Sequence, residues 1–305
     1  IRKPVNPETF IERINRILDD HIDMKFWGVR GTLPVTGGQS LKYGGNTSCM
    51  TLEFPREQFF IFDCGSGIKN LGDSLAAQKR KGINAKIFIS HPHWDHINAI
   101  PFFSPLYVQG NEFEILGANQ GDISMSEMVS AQMEGVYFPI TLSQFAARVY
   151  FHDLEEENLK VSGIDVKTKL LSHPGKCLGY RIEYNGRSIC YITDNEMYVE
   201  TSEFYDPHYE KRLAEFVHDT DALITDATYM DEEYMTKEGW GHSCISKVVN
   251  LADTAEVKTL YLFHHDPDQT DDDIDIKLDI ARAMLKKRRS KTKCLAPTEG
   301  EAFKI

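Results

Sequence analysis

The chain has 305 residues, with 34 Lys+Arg against 46 Asp+Glu and a formal charge of −12. That acid excess disfavours a protein that wraps long nucleic acid, whose binders carry a basic footprint; the one dense basic run, Lys286 to Lys293, reads as the solvated end of a helix. Hydrophobic residues at 41% and aromatics at 11% suffice to close a buried core, which removes the disordered and collagen-like classes.

In chain order, Asn6 and Pro7 cap and open a segment with Phe10, Ile11, Ile14, Ile17 and Leu18 at helical spacing, so an amphipathic helix is predicted within residues 1–22. The Lys3-Pro4 pair before it resembles the end of a two-component receiver domain. That resemblance implies an upstream receiver, and phosphorylation control, in a longer gene product; the other reading is a helix that packs on the domain following it. From Met24 to Ile305 short apolar strands and glycine-rich turns alternate with helical patterns, which predicts one α/β domain over 23–305. Strands are expected at 24–28, 48–54, 58–63, 85–90, 165–171, 178–184, 187–193, 221–225, 258–263 and 301–304. Helices are expected at 67–81, 124–134, 208–218, 243–254 and 271–288. Residues 98–150 crowd Pro101-Phe102-Phe103, Met125, Met128, Met133, Tyr137-Phe138-Pro139 and Phe145 into poor periodicity. Two readings of that stretch stand, an apolar insertion that lids a pocket and a satellite core under a long loop.

No apolar stretch approaches the roughly 20 residues of a membrane-spanning helix, so the chain reads as soluble. Cys49, Cys64, Cys177, Cys190, Cys244 and Cys294 contain no Cys-x-x-Cys pair, which excludes a disulfide scaffold and a thiolate metal site. They read as reduced, mostly buried thiols in a cytoplasm.

The segment richest in chemistry is His91-Pro92-His93-Trp94-Asp95-His96, directly after the apolar strand Ala85 to Ile89. Its three imidazoles and one carboxylate suit zinc and also manganese or iron. One loop cannot fill two coordination spheres, and further donors stand at other strand ends. His173 follows Val166 to Leu171, Asp194 follows Arg187 to Thr193, and His264 follows Thr259 to Phe263.

With Asp63-Cys64-Gly65-Ser66-Gly67, these motifs are similar in type and order to those of the metallo-β-lactamase fold superfamily, from about Met24 to Ile305. The resemblance implies an αββα sandwich with a two-metal site at one edge. It assigns His91, His93 and His173 to the first metal, Asp95, His96 and His264 to the second, and Asp194 to the bridge between them. It gives Asp63 the task of fixing the ligand loop. Ala222 to Tyr229, Gly241-His242-Ser243 and Leu178 to Glu183 further resemble the branch holding ribonuclease Z and the class II cyclic-nucleotide phosphodiesterases. There a His at the position of His242, oriented by an acid at the position of Asp226, protonates the leaving oxygen; this chain has Asp226 where ribonuclease Z generally has Glu.

Asp95, His242 and Asp226 are thus the expected catalytic residues, and two divalent cations, zinc foremost, the expected cofactor. The expected reaction is hydrolysis of a small phosphodiester such as a cyclic mono- or dinucleotide, because the charge is negative and no Gly-rich basic arm for tRNA is present. The competing readings are a hydrolase of an ester, lactone or thioester, a di-iron redox protein, and a nucleotide-binding output module without turnover. Whether the chain forms a homodimer is left open.

Overall fold

The structure is a computed structural model that describes residues 21–305. The expected N-terminal helix and its receiver-like start lie outside the described residues. Seven strands build each of two sheets. β1 (Asp23–Gly28), β2 (Cys49–Glu53), β3 (Phe59–Phe62), β4 (Asn84–Phe88), β5 (Glu112–Ala118) and β6 (Arg148–Leu154) belong to the first. β7 (Asn158–Val161), β8 (Ile164–Leu170), β9 (Leu178–Tyr184), β10 (Arg187–Ile192), β11 (Ala222–Asp226), β12 (Thr259–Phe263) and β13 (Lys293–Leu295) form the second, and β14 (Ala302–Lys304) returns to the first beside β1. The strand orders are β14-β1-β2-β3-β4-β5-β6 and β13-β12-β11-β10-β9-β8-β7.

The period-2 pattern explains why the sheets stack. Met24, Phe26, Met50, Leu52, Phe60, Phe62 and Phe88 alternate along the first sheet and meet Tyr180, Ile182, Tyr191, Ile224, Tyr261 and Phe263 of the second in one fully buried layer. Phe62 stacks on Phe88 at 5.2 Å between ring centroids, and each such ring contributes roughly 1.5–3 kcal/mol by leaving water. The opposite faces are also buried, so the strands read as nearly continuous apolar runs.

Outside them lie α1 (Gly67–Ala77), α2 (Trp94–Ile97), α3 (Met125–Ala131), α4 (Pro207–Phe216), α5 (Asp231–Tyr234), α6 (Ile245–Thr254) and α7 (Asp271–Arg288). Ile68, Leu71 and Leu75 of α1 cover Ile61 and Ile87, while Val248 and Val249 of α6 and Leu278 and Ala281 of α7 cover Leu223 and Leu260. The layers are therefore αββα, as expected. α7 starts on a Thr270/Asp273 capping box with three aspartates in its first turn and ends on Lys286, Lys287 and Arg288, charges that match its dipole at both ends. The basic run is the solvated end of that helix. All six cysteines are free and buried, and no helix among the described residues is long and apolar enough to cross a membrane.

Residues 98–150 differ from the reading of an apolar insertion. They supply β5 and β6, which continue the first sheet in parallel from β4, and Phe103, Met125 and Met133 are fully buried. The stretch is mostly part of the sheet and its outer core. β5 and β6 escape a periodicity reading because glutamates interrupt the first and the second is an edge strand with Arg148, Tyr150 and His152 on its exposed side. The short strands β7 and β13 were likewise not anticipated.

Candidate metal centre

β3 and β4 run parallel, as do β10, β11 and β12, and two antiparallel steps bring β8 into line with β10. Their C-terminal ends therefore open on one edge of the sandwich, where an α/β fold usually places its site. Asp63, the His91–His96 loop, His173, Asp194, Asp226 and His264 all leave those ends. Asp63, Asp194 and His264 hold positive φ angles of 56°, 51° and 57°, a strained conformation for side chains with a Cβ that turns each inward.

Two clusters result, His91, His93, His173 and Asp194, and Asp95, His96, Asp194 and His264, in each of which one donor atom per residue lies within 4.8 Å of the others. Asp194 belongs to both: Oδ1 stands 3.2 Å from His96 Nε2 and 3.1 Å from His264 Nε2, and Oδ2 3.6 Å from His91 Nε2 and 3.9 Å from His173 Nε2. Asp95 Oδ2 lies 3.1 Å from both His96 Nε2 and His264 Nε2.

The second contact of each ring sets its tautomer. His96 Nδ1 donates to Asp63 Oδ2 at 2.8 Å, and His173 Nδ1 donates to the Gly241 carbonyl at 2.9 Å. His264 Nδ1 lies 3.2 Å from Thr228 Oγ1. Each contact leaves an Nε2 lone pair aimed at the cluster. Lone pairs then face one another, His96 Nε2 to His264 Nε2 at 3.3 Å and His93 Nδ1 to His173 Nε2 at 3.1 Å. His91 Nε2 is buried with no hydrogen-bond partner. Converging lone pairs, an orphaned buried nitrogen and two carboxylates are a donor set that fits a pair of divalent cations.

Electrostatics point the same way. Burial pushes His91, His93 and His173 below the ordinary imidazole range, the neutral state a metal ligand needs. Burial opposes ionisation of Asp95 and Asp194, but the surrounding imidazoles hold both carboxyls well below their usual range. His96 runs the other way: Asp95, Asp194 and Asp63 outweigh burial and raise it, so the ring would give up a proton to take a cation.

Beside the clusters, His242 Nδ1 lies 2.8 Å from Asp226 Oδ2, so Nδ1 donates and Nε2 is the ring's other nitrogen. Asp226 is itself fixed, its Oδ1 accepting from Thr228 N and Oγ1. Burial would lower His242, yet Asp226 and then Asp194 outweigh it and raise the ring to about 9. The His242 ring stacks on His264 at 5.0 Å. His93, Asp95, His173, Asp194 and His242 share a cleft of about 600 Å³ with Thr32, Trp94, Tyr229, Lys237, Trp240 and Asp266. No residue of 98–150 is among its lining.

All the sequence-predicted residues thus converge on one edge. Sequence reasoning passed over Glu196, which is fully buried and accepts from Tyr234 Oη, Gly239 N and Gly241 N, fixing the segment that holds His173. It also passed over Gly31 and the role of Gly241 against His173: a Cβ at either would stand 2.2 Å from the ring of His264 or His173 respectively, and Gly241 adds a φ of 88°. The signal for Glu196 was its place two residues past Asp194.

An αββα sandwich with paired His/Asp clusters at one edge defines a metal-site protein of the metallo-β-lactamase fold. Residues 59–265 match the Beta-lactamase superfamily domain, and the chain belongs to that family. It is related to ribonuclease Z: the ribonuclease Z of Lactococcus lactis subsp. cremoris (strain MG1363) is 24% identical over 271 residues, covering 75% of this chain and 86% of that protein. Among solved structures, the metallo-beta-lactamase fold protein YhfI from Bacillus subtilis superposes with a TM-score of 0.68 at 17% identity, over 94% of this chain and 100% of the other. Unliganded yeast PDE1 gives 0.67 at 14% identity, over 93% and 99%.

Proposed function

We propose that this chain is a two-metal hydrolase of a small phosphodiester, of the cyclic mono- or dinucleotide kind. The observation that carries the reading is the buried Asp226–His242 pair, 2.8 Å apart, on the wall of the cleft that holds both His/Asp clusters. Kinship with ribonuclease Z supports it. His91, His93 and His173 would hold one cation and Asp95, His96 and His264 the other, with Asp194 common to both; zinc suits this nitrogen and oxygen set, and manganese or iron also fit it. When bound, such a pair supplies Lewis-acid neutralisation of phosphoryl charge and a nucleophile at neutral pH.

The protein's own part is proton delivery. As the P–O bond to the leaving group breaks, the departing alkoxide takes the proton of His242 Nε2. Asp226 holds Nδ1–H, keeps the ring oriented and stabilises its cationic form. A net charge of −12 and a cleft of about 600 Å³ favour a small ester over a long polynucleotide.

The test is metal content measured beside hydrolysis of 3′,5′-cyclic AMP, whose leaving group is a sugar alkoxide, and of bis-p-nitrophenyl phosphate, whose nitrophenolate departs without a proton, on wild type and His242→Ala. Close to two metals per chain is expected, with a rate on the cyclic nucleotide that falls by roughly 10²–10⁴ in the variant while its metal content is kept and the p-nitrophenyl diester is still cut. An unchanged rate would remove His242 from the chemistry. Two metals without diesterase activity would overturn the phosphodiester reading in favour of ester, thioester or redox chemistry.

A further inference from the structure

Of the three tryptophans in the sequence, Trp27 is buried at 9% exposure, whereas Trp94 and Trp240 are 79% and 61% exposed. A single exposed apolar residue needs no explanation. These two, however, line the same cleft. They are tied to it by a short chain of contacts: Trp94 follows His93, whose Nδ1 lies 3.1 Å from His173 Nε2, and His173 Nδ1 donates to the carbonyl of Gly241, the residue after Trp240. Both indoles are therefore held beside the His91/His93/His173 cluster by backbone that the site itself fixes, and Glu196 clamps the amides on either side of Trp240.

Lys237 places its Nζ 5.6 Å from the Trp240 ring centroid and 4.9 Å from that of Tyr229, 3.2 Å from Asp266 Oδ2. The cleft thus offers aromatic faces and a cation next to a donor set for metal-assisted phosphate chemistry, within the roughly 300–1,000 Å³ usual for small-ligand sites. Aromatic faces accept any base, because every base has a π-face, and a neighbouring cation suits the phosphate.

We propose that Trp94 and Trp240 form a stacking clamp that holds the nucleobase of the substrate beside the metal cluster. The inference rests on the phosphodiesterase reading and assigns the residues that recognise the base.

Two measurements test it, one without turnover. Thymidine 5′-monophosphate should quench the fluorescence of the exposed indoles, and ribose 5-phosphate should not. Trp94→Ala and Trp240→Ala should each lose part of the quench, and Trp27 in the double variant serves as the internal reference. In turnover, kcat/KM for thymidine 5′-(p-nitrophenyl phosphate) relative to methyl p-nitrophenyl phosphate compares two diesters with one leaving group. That ratio should fall about 5- to 100-fold in each alanine variant, the range one stacked base is worth, and persist in Trp94→Phe and Trp240→Phe. Hydrolysis of both diesters by wild type with a ratio near one, or a ratio untouched by the alanine variants, overturns the clamp and leaves the diesterase standing. Hydrolysis of neither overturns the diesterase, and the quenching then decides the clamp by itself: tryptophan-dependent quenching by the nucleotide supports it, and none overturns it.

Discussion

The two halves of the centre are built differently. Asp95, His96, Asp194 and His264 are all buried, whereas in the other cluster His93 is exposed and His173 half-buried. The buried half is braced by side chains. Asp63 takes hydrogen bonds from Ser90 N at 2.7 Å, Tyr191 Oη at 2.8 Å and His96 Nδ1 at 2.8 Å, and Thr32 N donates to Asp95 at 2.7 Å. The open half is braced by backbone, through the Gly241 carbonyl on His173 and Glu196 behind it. One half is preformed by the core, and the other is carried by loops that also line the cleft, which suits a partner that has to enter and leave.

The largest effect is expected where the halves meet. Asp194→Ala removes the carboxylate common to both clusters and leaves five imidazoles converging without it. Both metal equivalents should be lost and diesterase activity should fall below detection, read by metal analysis and turnover together. Retention of two metals and full rate would break the view of one shared centre.

Asp63→Ala attacks the buried half alone. It strands the Ser90 amide, the Tyr191 hydroxyl and the His96 Nδ1–H away from water, at about 1–3 kcal/mol for each unpaired donor. Stability in urea and metal affinity should fall together, the affinity by about 10–100-fold. Asp63→Asn keeps one of the two acceptor oxygens, for the Ser90 amide or for His96 and Tyr191 but not for both, and should recover part of the stability. Equal loss in both variants would mean that the charge matters more than the brace.

Glu196→Ala is the matching change in the open half. Of its three donors, Tyr234 Oη, Gly239 N and Gly241 N, Gly239 belongs to an exposed residue that water can reach, so a stability loss of about 1–2 kcal/mol is expected, below that of Asp63→Ala. One metal equivalent should weaken before the other, because the buried cluster keeps its own braces. Simultaneous loss of both would erase the distinction between the halves.

The same contrast explains what could be read in advance. The donors were legible because they are rare residue types at strand ends, and the His91–His96 loop writes four of them into six positions. The braces were not, apart from Asp63, because Ser90, Thr228, Tyr191 and Glu196 are common types whose meaning exists only through partners far away in sequence. The two sheets were legible from the apolar and aromatic strands β3, β4, β9 and β12. Strands with one wet side, such as β6, carry a weaker pattern, and the apolar bulk of 98–150 says that it is buried without saying against what.

That last point gives the smallest expected effect and the sharpest contrast with the cleft. Tyr137 is 78% exposed, lies in the stretch read from sequence as a lid, and is absent from the lining of the metal cleft. An exposed aromatic with no buried contact to lose should tolerate truncation within about 0.5 kcal/mol. Tyr137→Ala should therefore leave thermal stability and the kcat/KM of diester hydrolysis unchanged, while Trp94→Ala, an exposed aromatic of similar accessibility, changes substrate preference. A drop in kcat/KM in Tyr137→Ala at unaltered stability would mean that residues 133–141 reach the cleft during turnover, and the lid would return as a moving part.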